Sequence, residues 1–160
     1  MANPVSAQQA LARLQNFCSR GEKCIADIRA KLKLWQINEE DSNKIIKILQ
    51  ADKYIDENRY ASAFVRDKSR FSHWGAIKIR TALKTKNIPD SIINNILKEL
   101  DAANYENDLK AILKNKVKSV KAKNSIDLKA KLIRFGLSRG FEYDLVYREV
   151  SRIVKNTDDE

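Results

Sequence analysis

The sequence has little of what punctuates a chain or performs chemistry. Four glycines and two prolines in 160 residues are too few for the many turns of a β-sandwich or barrel. Histidine occurs once, at His73, and cysteine twice, at Cys18 and Cys24 in CSRGEKC. Those three side chains fall short of a tetrahedral metal site, so no metal is expected, and in a reducing cytosol the two thiols read as small, inert groups. There is no P-loop, G-x-G-x-x-G or H-E-x-x-H, and His73 lacks the partners of a nucleophilic triad. The acidic run Glu39-Glu40-Asp41 sits where a helix begins, where caps and the helix dipole account for it. No enzyme and no cofactor is expected. No apolar run nears the ~18 residues that span a bilayer. The start, MANPVSAQQA, lacks a basic region followed by an apolar one, so a cytoplasmic protein is expected.

What is abundant is positive charge. Thirty-one Lys and Arg against twenty-one Asp and Glu leave a net charge of +10, which calls for an anionic partner such as nucleic acid, a nucleoprotein or an acidic protein. A membrane surface fits less well, because the apolar faces are needed for packing.

Helical spacing runs nearly throughout. The pattern predicts helices at about 6–18, 22–35, 39–52, 57–71, 75–87, 90–102, 105–121, 126–139 and 143–155. Ser19 with Glu22 has the spacing of a capping box, Asn38, Asp56 and Ser125 are suited to N-caps, and Pro89 to a first turn. The helices also repeat. Ile28, Ile79 and Leu132 align, then Leu32, Leu83 and Gly136, then Ile37, Ile88 and Phe141, with offsets of 51 and 53 residues. Ile45 and Leu49 match Ile96 and Leu100. The expectation is an all-α chain of three tandem three-helix repeats, 1–55, 56–103 and 104–155, with an acidic tail at 156–160. Units of this size bury their remaining apolar faces by stacking.

The charge is ordered on these helices. Arg59, Arg66 and Arg70 share one face of the fourth, opposite Ala61, Phe64, Val65 and Phe71. Lys78 and Arg80 follow the next helix start. In the seventh, Lys110, Lys114, Lys118 and Lys121 form a stripe beside Leu109, Ile112, Leu113, Val117 and Val120. From Lys110 to Arg134 there are nine basic residues and one acid, Asp127. Such stripes can follow phosphates or carboxylates. At the junction Ser72-His73-Trp74-Gly75, Gly75 permits a turn or close helix approach, Trp74 is expected to pack in the core, and His73 to be an exposed loop residue.

The middle stretch, YIDENRYASAFVRDKSRFSHWGAIKIRTALKTKNIPDSII, resembles the RecX recombination-regulator family. Asp56, Tyr60, Ala61, Phe64, Val65, Arg66, Trp74, Gly75, Ile79, Arg80 and Leu83 carry the likeness. Ser19-Arg-Gly-Glu with Ile28-Arg-Ala-Lys-Leu32, and Lys131-Leu-Ile-Arg-Phe135 with Ser138-Arg-Gly-Phe141, extend it over about 8–154. Gly136, where the family has a large aliphatic, and Asn87, where it has glycine, depart from the pattern. The resemblance implies an elongated, curved right-handed array that lodges in the RecA–DNA filament and inhibits strand exchange, ATP hydrolysis and coprotease activity, acting as a monomer. The contacting set would be Arg59, Arg66, Arg70, Lys78, Arg80, Lys110, Lys114, Lys118 and Lys121, with Trp74 and Gly75 as a structural junction. Two other readings stay open: a direct, transcriptional DNA-binding protein with helix-turn-helix-like units, and a helical adaptor for an acidic protein.

Overall fold

The computed structural model describes residues 3–158. Among them the order is α1 (Ala7–Ser19), α2 (Ile25–Leu34), α3 (Glu39–Ala51), α4 (Glu57–Arg70), α5 (Ala76–Thr85), α6 (Asp90–Leu97), α7 (Ala102–Val117), α8 (Ser125–Ser138) and α9 (Tyr143–Asp158), with no strand among the described residues. Of the expected acidic tail, Asp159 and Glu160 lie outside the described residues, and α9 runs to Asp158.

The chain is a set of three-helix repeats, and their connections share one backbone device. Gln36, Asn87 and Gly140 occupy equivalent positions after the second helix of each repeat, and all have positive φ, at 58°, 60° and 92°. Each closes a Schellman turn: Ile37 N–H donates to the Leu32 carbonyl, Ile88 to Leu83 and Phe141 to Gly136, at 3.0, 3.1 and 3.3 Å. The residues on either side of each turn are the apolar ones that recur in the sequence. Asparagine enters the left-handed region more readily than most residues other than glycine, which suits Asn87 to this position.

Contacts divide the chain into two compact units, one running to Phe64 with Leu83–Ile96, the other comprising Val65–Ala82 with Leu97 onward. In the first unit α1 and α2 pack on α3, burying Ala10, Leu14, Ile28, Leu32, Ile45, Ile46 and Leu49. In the second, α7, α8 and α9 enclose Leu109, Leu113, Leu132, Phe141, Val146 and Val150. Each such aliphatic contributes about 1.5–3 kcal/mol by leaving water. The α8–α9 approach depends on Gly136, where a Cβ would come within 2.7 Å of a Val146 methyl.

Several helix ends differ from the sequence expectation. α2 starts at Ile25, later than 22, with Cys24 as its N-cap; the Cys24 N–H donates to Asp27, the third helical residue, at 3.2 Å. Ser19 instead donates to the Asn16 carbonyl at the end of α1, and α1 carries its own capping box, Ser6 with Gln9. Asn38 caps α3, and Asp56 accepts from the Arg59 N–H at 3.1 Å. At α8 the cap is Asn124, one residue before Ser125. α6 ends at Leu97 because Asp101 caps α7 three residues earlier than expected, accepting from Ala103 N–H at 3.0 Å.

Candidate functional site

The junction after α4 is built by backbone groups of two segments of the second unit. His73 takes φ 53° and Trp74 N–H returns to the Lys68 carbonyl at 3.0 Å, closing the helix. α5 then begins with three N–H groups that no residue of its own helix can accept. Gly75 donates to the Arg139 carbonyl at 2.6 Å and Ile77 to the Gly140 carbonyl at 3.0 Å. Ala76 donates to the Tyr105 hydroxyl at 2.9 Å, which itself donates to a Glu142 carboxylate oxygen at 2.9 Å. The Arg139 guanidinium donates to the Ser72 carbonyl in return. Burial, reinforced by the Glu142 carboxylate, drives the Tyr105 phenol far above its ordinary pKa, so it remains a donor at every physiological pH.

Gly75 is buried and a Cβ there would overlap the Gly140 carbonyl and the Phe141 nitrogen. It serves close approach, with no positive φ. Trp74, expected to pack in the core, is half-buried, with the Lys68 and Lys78 ammoniums 4.6 and 4.5 Å from its ring centroid. One expectation for this segment is corrected. His73 is half-buried with an Nδ1 that has no hydrogen-bond partner, so it is no exposed loop residue. Beside Trp74 lies a cleft of about 390 Å³ walled by Ile77, Lys78, Leu137 and Gly140.

The basic residues separate into engaged and open ones. Arg59, in the first unit, places Nε 2.7 and 2.8 Å from the two Glu22 carboxylate oxygens, and its Nη2 donates to the Lys53 and Tyr54 carbonyls. It fastens the end of α3 to the chain before α2. Lys86 and Lys84 pair with Asp27 and Asp90 at 2.7 and 3.4 Å. In the second unit, Arg66 and Arg70 are exposed on α4, and among the described residues no carboxylate pairs with Arg66, Arg70, Lys110, Lys114 or Lys118. Lys110, Lys114 and Lys118 step along α7 in increments of ~6 Å. Lys118 is the helix C-cap, so Lys121 leaves the helical stripe; its carbonyl accepts from Lys131 Nζ at 2.5 Å. Lys78 belongs to the Trp74 cluster and Arg80 is half-buried. Phe71, expected on the apolar side of α4, is 79% exposed, because the helix ends at Arg70 and the chain turns away.

Sequence reasoning missed Tyr105, Arg139 and Gly140 as partners of the junction. Arg139 and Gly140 lie in the Ser138-Arg-Gly-Phe141 stretch that carries the resemblance, but nothing in it pointed to the junction, and Tyr105 had no signal. The residues that could ligate a metal do not gather: among the described residues no cluster of three or more His, Cys, Asp or Glu occurs. Burial raises the pKa of both Cys18 and Cys24, which keeps the thiols protonated and weakly nucleophilic. No described helix is long and apolar enough to cross a membrane.

With this geometry in hand, comparison with known proteins places the chain. The models of the second and third three-helix domains of RecX match residues 56–97 and 105–150. A regulatory protein RecX of Clostridium botulinum is 32% identical over 79% of this chain and 60% of its own length. One from Clostridium acetobutylicum is 30% identical over 91% of this chain and 67% of its own. A crystal structure of a regulatory protein RecX superposes with a TM-score of 0.84 at 23% identity, covering 91% of this chain and 73% of that one. The chain belongs to the RecX family of regulatory proteins. It spans about three fifths to two thirds of the length of these two clostridial relatives.

Proposed function

We propose that this chain is a non-enzymatic regulator that acts as a monomer in the cytoplasm, binding the RecA–DNA nucleoprotein filament and inhibiting its recombinase, ATPase and coprotease activities. The observation that carries the reading is the basic set of the second unit without a described carboxylate partner, Arg66 and Arg70 on α4, Lys110 and Lys114 on α7 and Lys118 at its C-cap, in a chain of the RecX family. Unpaired cations at regular steps suit a polyanion, and each phosphate neutralised releases counterions. Several weak patches on one chain add through effective concentration when the partner is a repeating filament. Arg59 contributes less, because its guanidinium is already held by the Glu22 carboxylate and two backbone carbonyls.

The test is strand exchange and ATP turnover by a matched RecA on single-stranded DNA, with and without the purified chain. The expected result is a dose-dependent slowing of both that weakens as salt is raised. No effect at low salt contradicts the proposal, and tight binding to one defined duplex regardless of RecA would replace it with direct DNA readout.

A further inference from the structure

The lysines of α7 and the arginines of α4 are suited to phosphates, but the cleft beside Trp74 has different chemistry. Its lining is largely apolar, from Trp74, Ile77, Ala82 and Leu137, with Ile77 52% and Leu137 39% exposed. Gly140 also lines it, and Lys78 lies so close to Gly140 that a Cβ there would not fit. The bonds from Gly75 to Arg139 and from Ile77 to Gly140 fix the wall from α5 to the wall from α8. The backbone of the two walls is therefore held in place without an occupant, which lowers the ordering cost of binding. At one side stand two cations, Lys68 and Lys78, both within 4.6 Å of the Trp74 ring centroid.

Apolar walls with cations at the margin match a peptide segment that inserts a bulky apolar side chain and carries Asp or Glu beside it. A nucleobase matches less well. Trp74 is the one aromatic in the lining, and a base stacking on it would compete with two ammoniums for the indole surface. We infer that this cleft docks an acidic segment of the partner protein through an apolar anchor, while the lysines of α7 meet phosphate. The inference rests on the filament reading above and assigns this cleft to the recombinase subunit, not to the DNA.

The experiment compares binding to RecA filaments assembled on an oligo-dT strand with binding to the same oligo-dT bare. Four proteins are used: wild type, Ile77→Asp, Leu137→Asp, and Lys114→Glu with Lys118→Glu. Both cleft positions are solvent-exposed, Ile77 keeps its backbone bond in the variant, and an acid in the first turn of α5 favours the helix. Thermal melting checks each fold. The inference predicts that each cleft variant weakens filament binding by about tenfold or more, with oligo-dT binding unchanged within about twofold, while the α7 double variant weakens both. It is overturned if both cleft variants hold the filament as wild type does, or if they lose oligo-dT in the same proportion, which would make the cleft a nucleotide site. Loss confined to a variant that also melts early counts against it. Wild type that fails to bind the filament at all overturns the functional proposal, and the occupant of the cleft with it.

Discussion

Gly75 and Gly140 meet backbone to backbone, with no room for a Cβ on either residue. The contact aligns the unsatisfied N–H groups at the start of α5 with the carbonyls at the turn after α8, so the two segments complete each other's hydrogen bonding. Lys78, which packs on Gly140, also stands beside Trp74. A joint made of backbone is stiff, because no side-chain rotamer can relieve a misfit.

Gly75→Val forces that joint apart. Overpacking of this kind costs about 1–3 kcal/mol or more, and for a chain of this size each kcal/mol shifts Tm by about 2–4 °C. A fall in Tm of about 5 °C or more by circular dichroism is expected, and a Tm equal to wild type would show that the backbones can part freely.

Tyr105→Phe removes the acceptor of the Ala76 N–H and the donor to Glu142. Leaving a buried polar group without its partner costs about 1–3 kcal/mol. Chemical denaturation should show a lower midpoint with an unchanged m-value. Glu142→Gln in the Tyr105→Phe background should cost much less than it does alone, because the two act through one hydroxyl.

Asp27 links pH to the stability of the first unit. Burial pushes its carboxyl upward, but the Lys86 ammonium at 2.7 Å and the Cys24 N–H outweigh that and hold it below the ordinary value of 3.8. A depressed carboxyl stabilises the fold above its ordinary pKa, and that contribution is lost as pH falls through the folded value. Asp27→Asn should therefore cost about 1 kcal/mol at neutral pH, and the gap from wild type should close as pH drops below 3.8. Urea midpoints taken across the acid range would check it; a gap that stays constant would mean the charge is irrelevant.

Lys114→Glu with Lys118→Glu changes exposed positions that pair with no described carboxylate. Stability should stay within about 0.5 kcal/mol of wild type. Binding to bare single-stranded DNA should weaken, and the slope of log K against log salt should flatten by about 1.4, two contacts at ~0.7 each. An unchanged slope would remove α7 from the polyanion surface.

The apolar periodicity was enough to read the helices and the repeat, since Ile28, Ile79 and Leu132 are each fully buried. The left-handed position shared by Gln36, Asn87 and Gly140 was half legible: glycine and asparagine suggest it, glutamine does not. Helix starts were less legible where caps compete. Ser19 and Glu22 have capping-box spacing, yet the serine serves the end of α1 and the glutamate pairs with Arg59. The site was the least legible part. Trp74 reads as a core residue because large apolar side chains usually are; its half-burial beside Lys68 and Lys78 involves residues that the helical pattern does not pair with it. Arg59 shares a helical face with Arg66 and Arg70, but a carboxylate 37 residues away captures it. Periodicity reports which face a residue occupies, not which long-range partner waits there.

The central claim is that the partner is the recombinase filament and not DNA alone, and co-sedimentation tests it most directly. The chain is spun with matched RecA filaments on single-stranded DNA, and separately with the same DNA bare, across a series of salt concentrations. The account predicts pelleting with the filament at salt concentrations where bare DNA no longer retains the chain, declining as salt rises further. Equal retention by filament and bare DNA at every salt concentration, or none by the filament at low salt, would contradict it.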